Sequence, residues 1–369
     1  MKIKSIISLA ALCVAGFAPA LYADTSWQGA NATWSTAANW SSGSPATGPQ
    51  LAIYPGNATI QTLDLAGGTG RVSIGARFDL FAGGSGYTFN GTAGSVAGLF
   101  PRAGGTVNGI VNNDDNTQTF NVPVKLTSNT GIAGPGAAMT FNAAAGDMVF
   151  NGTGSTFAWT INLDGASALT FDGSHNITVG SSGQGTIVNT NSPANPTTGL
   201  IKNGSGTLTL GGTAANTFTG VNTLNAGTIL AAKADALGAG NALVASGGTF
   251  NTGGLNQTLG TLDLDGSVTL DLGSGASAVS FANSSALDWG TFTLNVLNWT
   301  SGSDTLRFGT DASGLTSGQL SLINFGDIAG SHAAIDPSGF VSAVVPEPGT
   351  AALLMIGFAG LFIRRRMGR

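Results

Sequence analysis

Across residues 58–341 apolar and polar side chains alternate in short runs, each closed by Gly, Asn, Ser or Thr. In Thr207-Leu208-Thr209-Leu210 the leucines share one face of an extended strand and the threonines share the other. Such runs predict half-buried strands, and the small polar residues between them predict tight bends. The runs also recur. Gly206-Thr207-Leu208 returns 21 residues later as Gly227-Thr228-Ile229, and the same step reaches Gly248-Thr249-Phe250 forwards and Gly185-Thr186-Ile187 backwards. Upstream, Thr119-Phe120-Asn121 answers Thr140-Phe141-Asn142, and Val149-Phe150-Asn151-Gly152 answers Thr170-Phe171-Asp172-Gly173, at that same step. A period near 20 residues made of short strands marks a solenoid, whose coils bury their apolar faces on one another. The expected fold is therefore all-β: a right-handed parallel β-solenoid (β-helix) of about 20–21 residues per coil, with Trp-containing caps. Roughly thirteen coils, each one strand spacing from the next, would make a rod of about 60 Å.

Changes in the pattern divide the chain. Residues 1–23 read as a signal peptide: Lys2 and Lys4, an apolar run from Ile6 to Phe17, then small residues, with cleavage after Ala20 or Ala23. Cys13 lies in that run, but Leu12 occupies the place where a lipobox needs a small residue. Residues 24–57 carry Trp27, Trp34 and Trp40. These indoles either close the exposed end of the first coil, the preferred reading, or form a platform for sugar rings. Residues 58–286 are the solenoid proper, with its clearest repeat at 199–238; within that repeat Ala231–Leu237 is either a short helix stopped by Gly238 or a long bend. In 287–343 Trp289 and Trp299 return, as expected of a C-terminal cap. Residues 344–369 are a separate module: Pro346-Glu347-Pro348, an apolar run from Thr350 to Ile363, and the basic end Arg364, Arg365, Arg366 and Arg369. That run is short against the roughly 17–25 residues of a full membrane span, and the arginines belong on the cytoplasmic side, which leaves the main domain outside.

Composition narrows the function. Gly makes up 58 of 369 residues and charged residues 8%, which suits many turns and opposes charge-driven disorder. Between Asp24 and Val345 there are seven Lys/Arg and seventeen Asp, with no basic cluster to grip a phosphate backbone, so no nucleic acid is expected as a partner. Cys13 is the single cysteine, so the exported domain relies on packing and hydrogen bonds without disulfides.

Two stretches resemble known families. Pro346-Glu347-Pro348, the apolar run and the arginines resemble the PEP-CTERM sorting signal. The resemblance implies recognition by an exosortase, removal of the tail after transient anchoring in the inner membrane, and export to the surface or exopolysaccharide matrix of a Gram-negative bacterium. Signal peptidase would be the other processing partner, and the membrane would be met only through the C-terminal segment. A plain, retained anchor is the alternative. Lys202-Asn203-Gly204-Ser205-Gly206-Thr207-Leu208-Thr209-Leu210, Asn216-Thr217-Phe218-Thr219-Gly220 and Asn225-Ala226-Gly227-Thr228-Ile229 resemble the autotransporter-associated β-strand repeat, whose implied setting is a β-helical stalk. No transmembrane barrel follows, so self-transport is not expected.

Candidate chemistry is sparse. A glycosidase needs two carboxyl groups about 5–9.5 Å apart on one groove. Asp263 and Asp265 share a strand face, but Leu262 and Leu264 must point inwards and leave both carboxylates on the solvated wall. Asp114-Asp115 among asparagines reads as a turn. His175 and His332 have no second ligand at metal spacing. Gly83-Gly84-Ser85-Gly86-Tyr87-Thr88 begins like a calcium-binding nonapeptide but puts Thr88 in the Asp position. No cofactor is expected, with weak calcium at turn carboxylates such as Asp164 and Asp172 left open. The expected role is non-catalytic and structural; an adhesin or glycan binder is the alternative, and a polysaccharide-degrading enzyme a more distant one.

Overall fold

The computed structural model describes residues 25–28, 37–42, 51–55, 62–64, 71–73, 75–79, 85–91, 97–99, 109–126, 138–153, 157–163, 168–189 and 199–345. These residues wind through three walls of strands. The first wall has ten strands, from Thr25–Ser26 to Leu262–Leu264, and the second has eleven, from Thr62–Asp64 to Ile323–Phe325. The third wall comes in two five-stranded pieces: Arg71–Ser73 to Ile187–Val188, then Gln257–Thr258 to a final hairpin of His332–Ile335 and Phe340–Val344. Every pairing between strands is parallel except those made by that hairpin. The molecule is an all-β solenoid. Alternation in sequence becomes alternation in burial: Leu208 and Leu210 face inwards, while Thr207 and Thr209 stay half-buried on the outer face.

The 21-residue step holds only in the middle of the rod. Leu208, Ile229 and Phe250 are consecutive partners in the second wall, at steps of 21, and Phe250 pairs Leu270 after 20. Before them, Phe89, Phe120, Phe150, Val179 and Leu210 follow one another at steps of 29–31. Thr119-Phe120 and Thr140-Phe141 are 21 apart in sequence but lie in different walls, as do Val149-Phe150 and Thr170-Phe171. The backward step also fails: Ile187 belongs to the third wall, and Leu208 stacks on Ile177. Coils upstream are thus longer than expected because they carry extra residues on their third side. With eleven strands the second wall is about 48 Å long, shorter than the expected rod.

Where the coils shorten, the third wall has no strand among the described residues between Val188 and Gln257. Side-chain amides take over the backbone pairing there. Asn216 accepts from the Ile187 N–H at 2.8 Å and donates to the Ala236 carbonyl at 2.6 Å. Gln257 accepts from the Ala236 N–H at 2.9 Å and donates to the Lys233 carbonyl at 2.9 Å. Asn222 bridges the Leu200 N–H and the Leu237 carbonyl in the same way. Residues 232–237 form the bend and not a helix, with Asp235 at φ 49°. Lys233 closes the gap by donating from one ammonium to Gly185 O, Ala214 O and Asn216 Oδ1 at 2.8–2.9 Å.

Lys233→Met should destabilise the protein by about 1–3 kcal/mol, because buried acceptors in neighbouring coils lose their donor. Burial pushes the Lys233 amine down to about 8 from its ordinary 10.5. The unfolded chain then binds more protons than the folded one between those values, so wild-type stability should rise with pH across that window. Urea melts at pH 7.5 and 10 on both proteins check the two statements. An unchanged midpoint in the variant would remove the staple, and a wild-type midpoint that falls with pH would remove the linkage.

Aromatic rings run through the N-terminal half of the core. Trp27 and Trp40 meet edge to face at 5.3 Å, Trp40 meets Tyr54 at 6.1 Å, and Tyr54 meets Phe89 at 5.2 Å. Phe89, Phe120 and Phe150 then stack at 4.9 and 4.8 Å, and Phe150 stacks on Phe141 at 4.8 Å. One-coil spacing equals the stacking distance of rings, so identical aromatic positions on successive coils make a ladder. At the other end the first wall stops at Leu262–Leu264, and the segment after it covers that edge: Ser284 Oγ accepts from the Leu262 N–H, and Trp289 Nε1 donates to the Leu262 carbonyl at 3.2 Å. Trp299 packs on Phe325 at 5.0 Å. The antiparallel hairpin of Phe340–Val344 and His332–Ile335 finishes the third wall.

Candidate functional site

Sugar-stacking by the N-terminal indoles requires exposed rings. Trp27 and Trp40 are only 1% and 2% exposed and bridge to each other, so neither indole presents a face to a sugar ring. Trp27 packs on Trp40, and Trp40 on Tyr54, beside Thr25–Ser26, the terminal strand of the first wall. Trp34 lies outside the described residues, as do Pro346, Glu347 and Pro348, the run from Thr350 to Ile363, and Arg364, Arg365, Arg366 and Arg369. Among the described residues no helix is long and apolar enough to cross a membrane.

The carboxylate pairs are brought to different surroundings. Leu262 and Leu264 are buried and put Asp263 and Asp265 on the outer face. The Asp263 carboxyl is pushed above the usual carboxylate range first by partial burial and then by the charge of Asp265, with Asp288 adding to it and the Leu264 N–H opposing. Asp114 is fully buried in a turn, where its Oδ1 accepts from the Asn116 N–H at 3.0 Å and from Asn116 Nδ2 at 2.8 Å. Asn112 and Gln118 complete this corner through carbonyls of Asn116 and Asp147. The network satisfies turn backbone, as an Asx-rich corner does, and Asp115 beside it is exposed. His175 is exposed beside Ser174, and His332 starts the last hairpin. Asp172 Oδ1 accepts the Gly173 N–H at 2.7 Å, while Asp164 lies outside the described residues. Among the described residues no three His, Cys, Asp or Glu side chains gather closely enough to hold a metal ion.

Along the corners of the coils, amides form their own ladders. Asn121 donates to Asn90 at 2.8 Å, Asn151 to Asn121 at 2.9 Å, and Ser181 to Asn151 at 2.7 Å. A second ladder joins Asn251 to Asp271 at 2.8 Å and Asn298 to Asp271 at 2.6 Å, with the Asn298 N–H on Asp327. These are parallel-stacking devices, since identical polar residues one coil apart sit at hydrogen-bonding distance.

A cleft of about 260 Å³ opens at the C-terminal end, between Leu287–Gly290 and the turn around the helix Ser317–Ser321. Asp288, Trp289, Gly290, Thr316, Gln319 and Ser321 line it. Gln319 is locked: Nε2 donates to Ser284 O and Leu287 O, and Oε1 accepts from the Thr316 N–H and hydroxyl. The spacing Thr316-x-x-Gln319 is a capping box and is the one part of this cleft that a sequence motif announces. Asp288 carries no motif, because the cleft joins segments separated by a whole coil.

Fold and cleft define an all-β solenoid with corner ladders. Residues 344–366 match the PEP-CTERM protein-sorting motif. That motif marks an exported protein, processed by an exosortase and transiently anchored in a membrane by its C-terminal segment. The likeness of 199–238 to the autotransporter-associated β-strand repeat stays a resemblance of sequence, with no family match beside it. No curated protein and no solved structure matches the chain.

Proposed function

We propose that this chain is an exported, non-catalytic structural rod that joins the cell surface or extracellular polysaccharide matrix of a Gram-negative bacterium. The observation that carries the reading is the sorting motif beginning at residue 344, immediately where the last hairpin strand, Phe340–Val344, ends. A rod whose final strand leads directly into the sorting segment is delivered whole on one side of the membrane. The sequence supplies the rest of the support: the mature part carries a net negative charge, has no thiol, and repeats one packing unit suited to an extended shape. Stacked coils held by backbone pairing and ladders resist extension without disulfides, which suits a matrix component.

The test is the intact mass of the secreted protein from a host that has its exosortase. The expected chain lacks Arg364–Arg369 and is found in the matrix fraction. Replacing Pro346, Glu347 and Pro348 together by alanine should keep the tail and hold the protein in the membrane fraction. A secreted wild-type chain that still ends in Arg369 would exclude processing. A processed chain that washes free of polysaccharide would exclude the matrix role.

A further inference from the structure

We propose that the cleft at the C-terminal end is a subsite for one sugar ring of an uncharged polysaccharide. Its volume of about 260 Å³ falls just below the roughly 300–1,000 Å³ of sites for drug-sized ligands, which suits a single ring. The rim carries one exposed aromatic ring: Phe292 stands beside Gly290, where a β-carbon would lie 4.0 Å from it, while the buried Trp289 offers no stacking face and only fixes the wall. An exposed aromatic face next to a polar cleft is the pairing that a sugar ring requires, with C–H bonds on one side and hydroxyls at the edge.

Polar groups for those hydroxyls are in place. Asp288 spends one acceptor site of Oδ1 on the Gly290 N–H at 2.9 Å, and an ionised carboxylate has about four such sites. Ser321 donates its hydroxyl hydrogen to Gly318 O at 2.6 Å, which leaves its oxygen as an acceptor. The walls are rigid because Thr316 and Gln319 already bond to each other and to the backbone. Charge selects against acidic glycans. Asp288 lies close enough to Asp263 to raise its pKa, and Asp265 adds a further negative charge. A uronate would meet the Asp288 carboxylate, with the charge of Asp263 behind it, whereas a neutral ring meets acceptors for its hydroxyls.

The proposal deepens the matrix-rod reading, and the two fail separately, since binding is measured on purified protein whatever its route of export. Saturation-transfer NMR on the purified secreted protein would use cellohexaose, mannohexaose and isomaltohexaose as neutral probes and hexagalacturonate as the acidic one. At least one neutral probe should bind, with Kd weakened tenfold or more in Phe292→Ala and in Asp288→Asn. Both residues are exposed, so melting temperatures should stay at the wild-type value. The proposal is overturned if no neutral probe binds at millimolar concentration. It is equally overturned if hexagalacturonate binds as well as the neutral probes, or if both variants keep wild-type affinity.

Discussion

Replacing Phe150 by alanine is expected to cost about 3–5 kcal/mol of stability, the range for emptying a buried aromatic site. Phe150 is fully buried and is the ring through which two ladders meet. It stacks on Phe120 in the preceding coil of its own wall and on Phe141 in the first wall, both at 4.8 Å. Removing it breaks both stacks, each worth about 0.5–1.5 kcal/mol beyond the area buried. Because coils in a solenoid contact only their neighbours, the loss should uncouple the N-terminal coils from the rest, and melting should split into two transitions. Phe340→Ala is the control: its ring is 40% exposed against Arg307, and truncation should change stability by less than about 0.5 kcal/mol. A shift below about 1 kcal/mol for Phe150→Ala would mean the aromatic ladder is not what joins the coils.

Gly206→Ala should have the second large effect, a loss of more than about 4 kcal/mol or failure to fold. Gly206 opens the Gly-Thr-Leu triplet that marks the repeat. A β-carbon there would stand 2.0 Å from the carbonyl oxygen of His175 in the coil beneath. Neither partner is a flexible side-chain end, so the two coils would have to part. At Gly227 and Gly248 the β-carbon would likewise come within 2.5 Å of a carbonyl in the coil below. Gly240 separates sterics from backbone preference: its φ is +78°, yet nothing lies within 4 Å of a β-carbon. Gly240→Ala should therefore cost only the left-handed backbone penalty of about 1–2 kcal/mol. Gly206 is not in the left-handed region, so a Gly206→Ala loss no larger than that of Gly240→Ala, measured by urea denaturation, would remove close stacking as the reason for the triplet glycine.

The candidate sites were legible to different degrees for a physical reason. The place of Asp263 and Asp265 on the outer wall follows from strand alternation alone, because their neighbours Leu262 and Leu264 are apolar. Whether Trp27 and Trp40 face solvent or core does not follow from local pattern, since both roles use the same side chain. Their burial depends on Tyr54 and Phe89 lying beneath them. Lys233 and Asn216 look like ordinary surface residues of a turn, and only the stacking of three coils brings Gly185 O within reach of the lysine. Asp288 and Gly290 become one side of a cleft only when the helix Ser317–Ser321 folds against them.

The amino-acid order alone determined the all-β class, the inward and outward faces of each strand, the 21-residue step of the coils around 207–250, and the sorting segment. Each of these is written locally: period-two alternation, turn residues, a motif. Only the tertiary structure decided which strands are neighbours. Thr119-Phe120 and Thr140-Phe141 share letters and a 21-residue spacing, yet they stand in different walls of a coil about 30 residues long. Parallel stacking aligns like with like across a connection of any length, because each strand needs only an apolar face inwards and a free edge beside it. The number of residues between two such strands is then set by how far the third side bulges. That is a property of the whole coil and is not encoded in any one run.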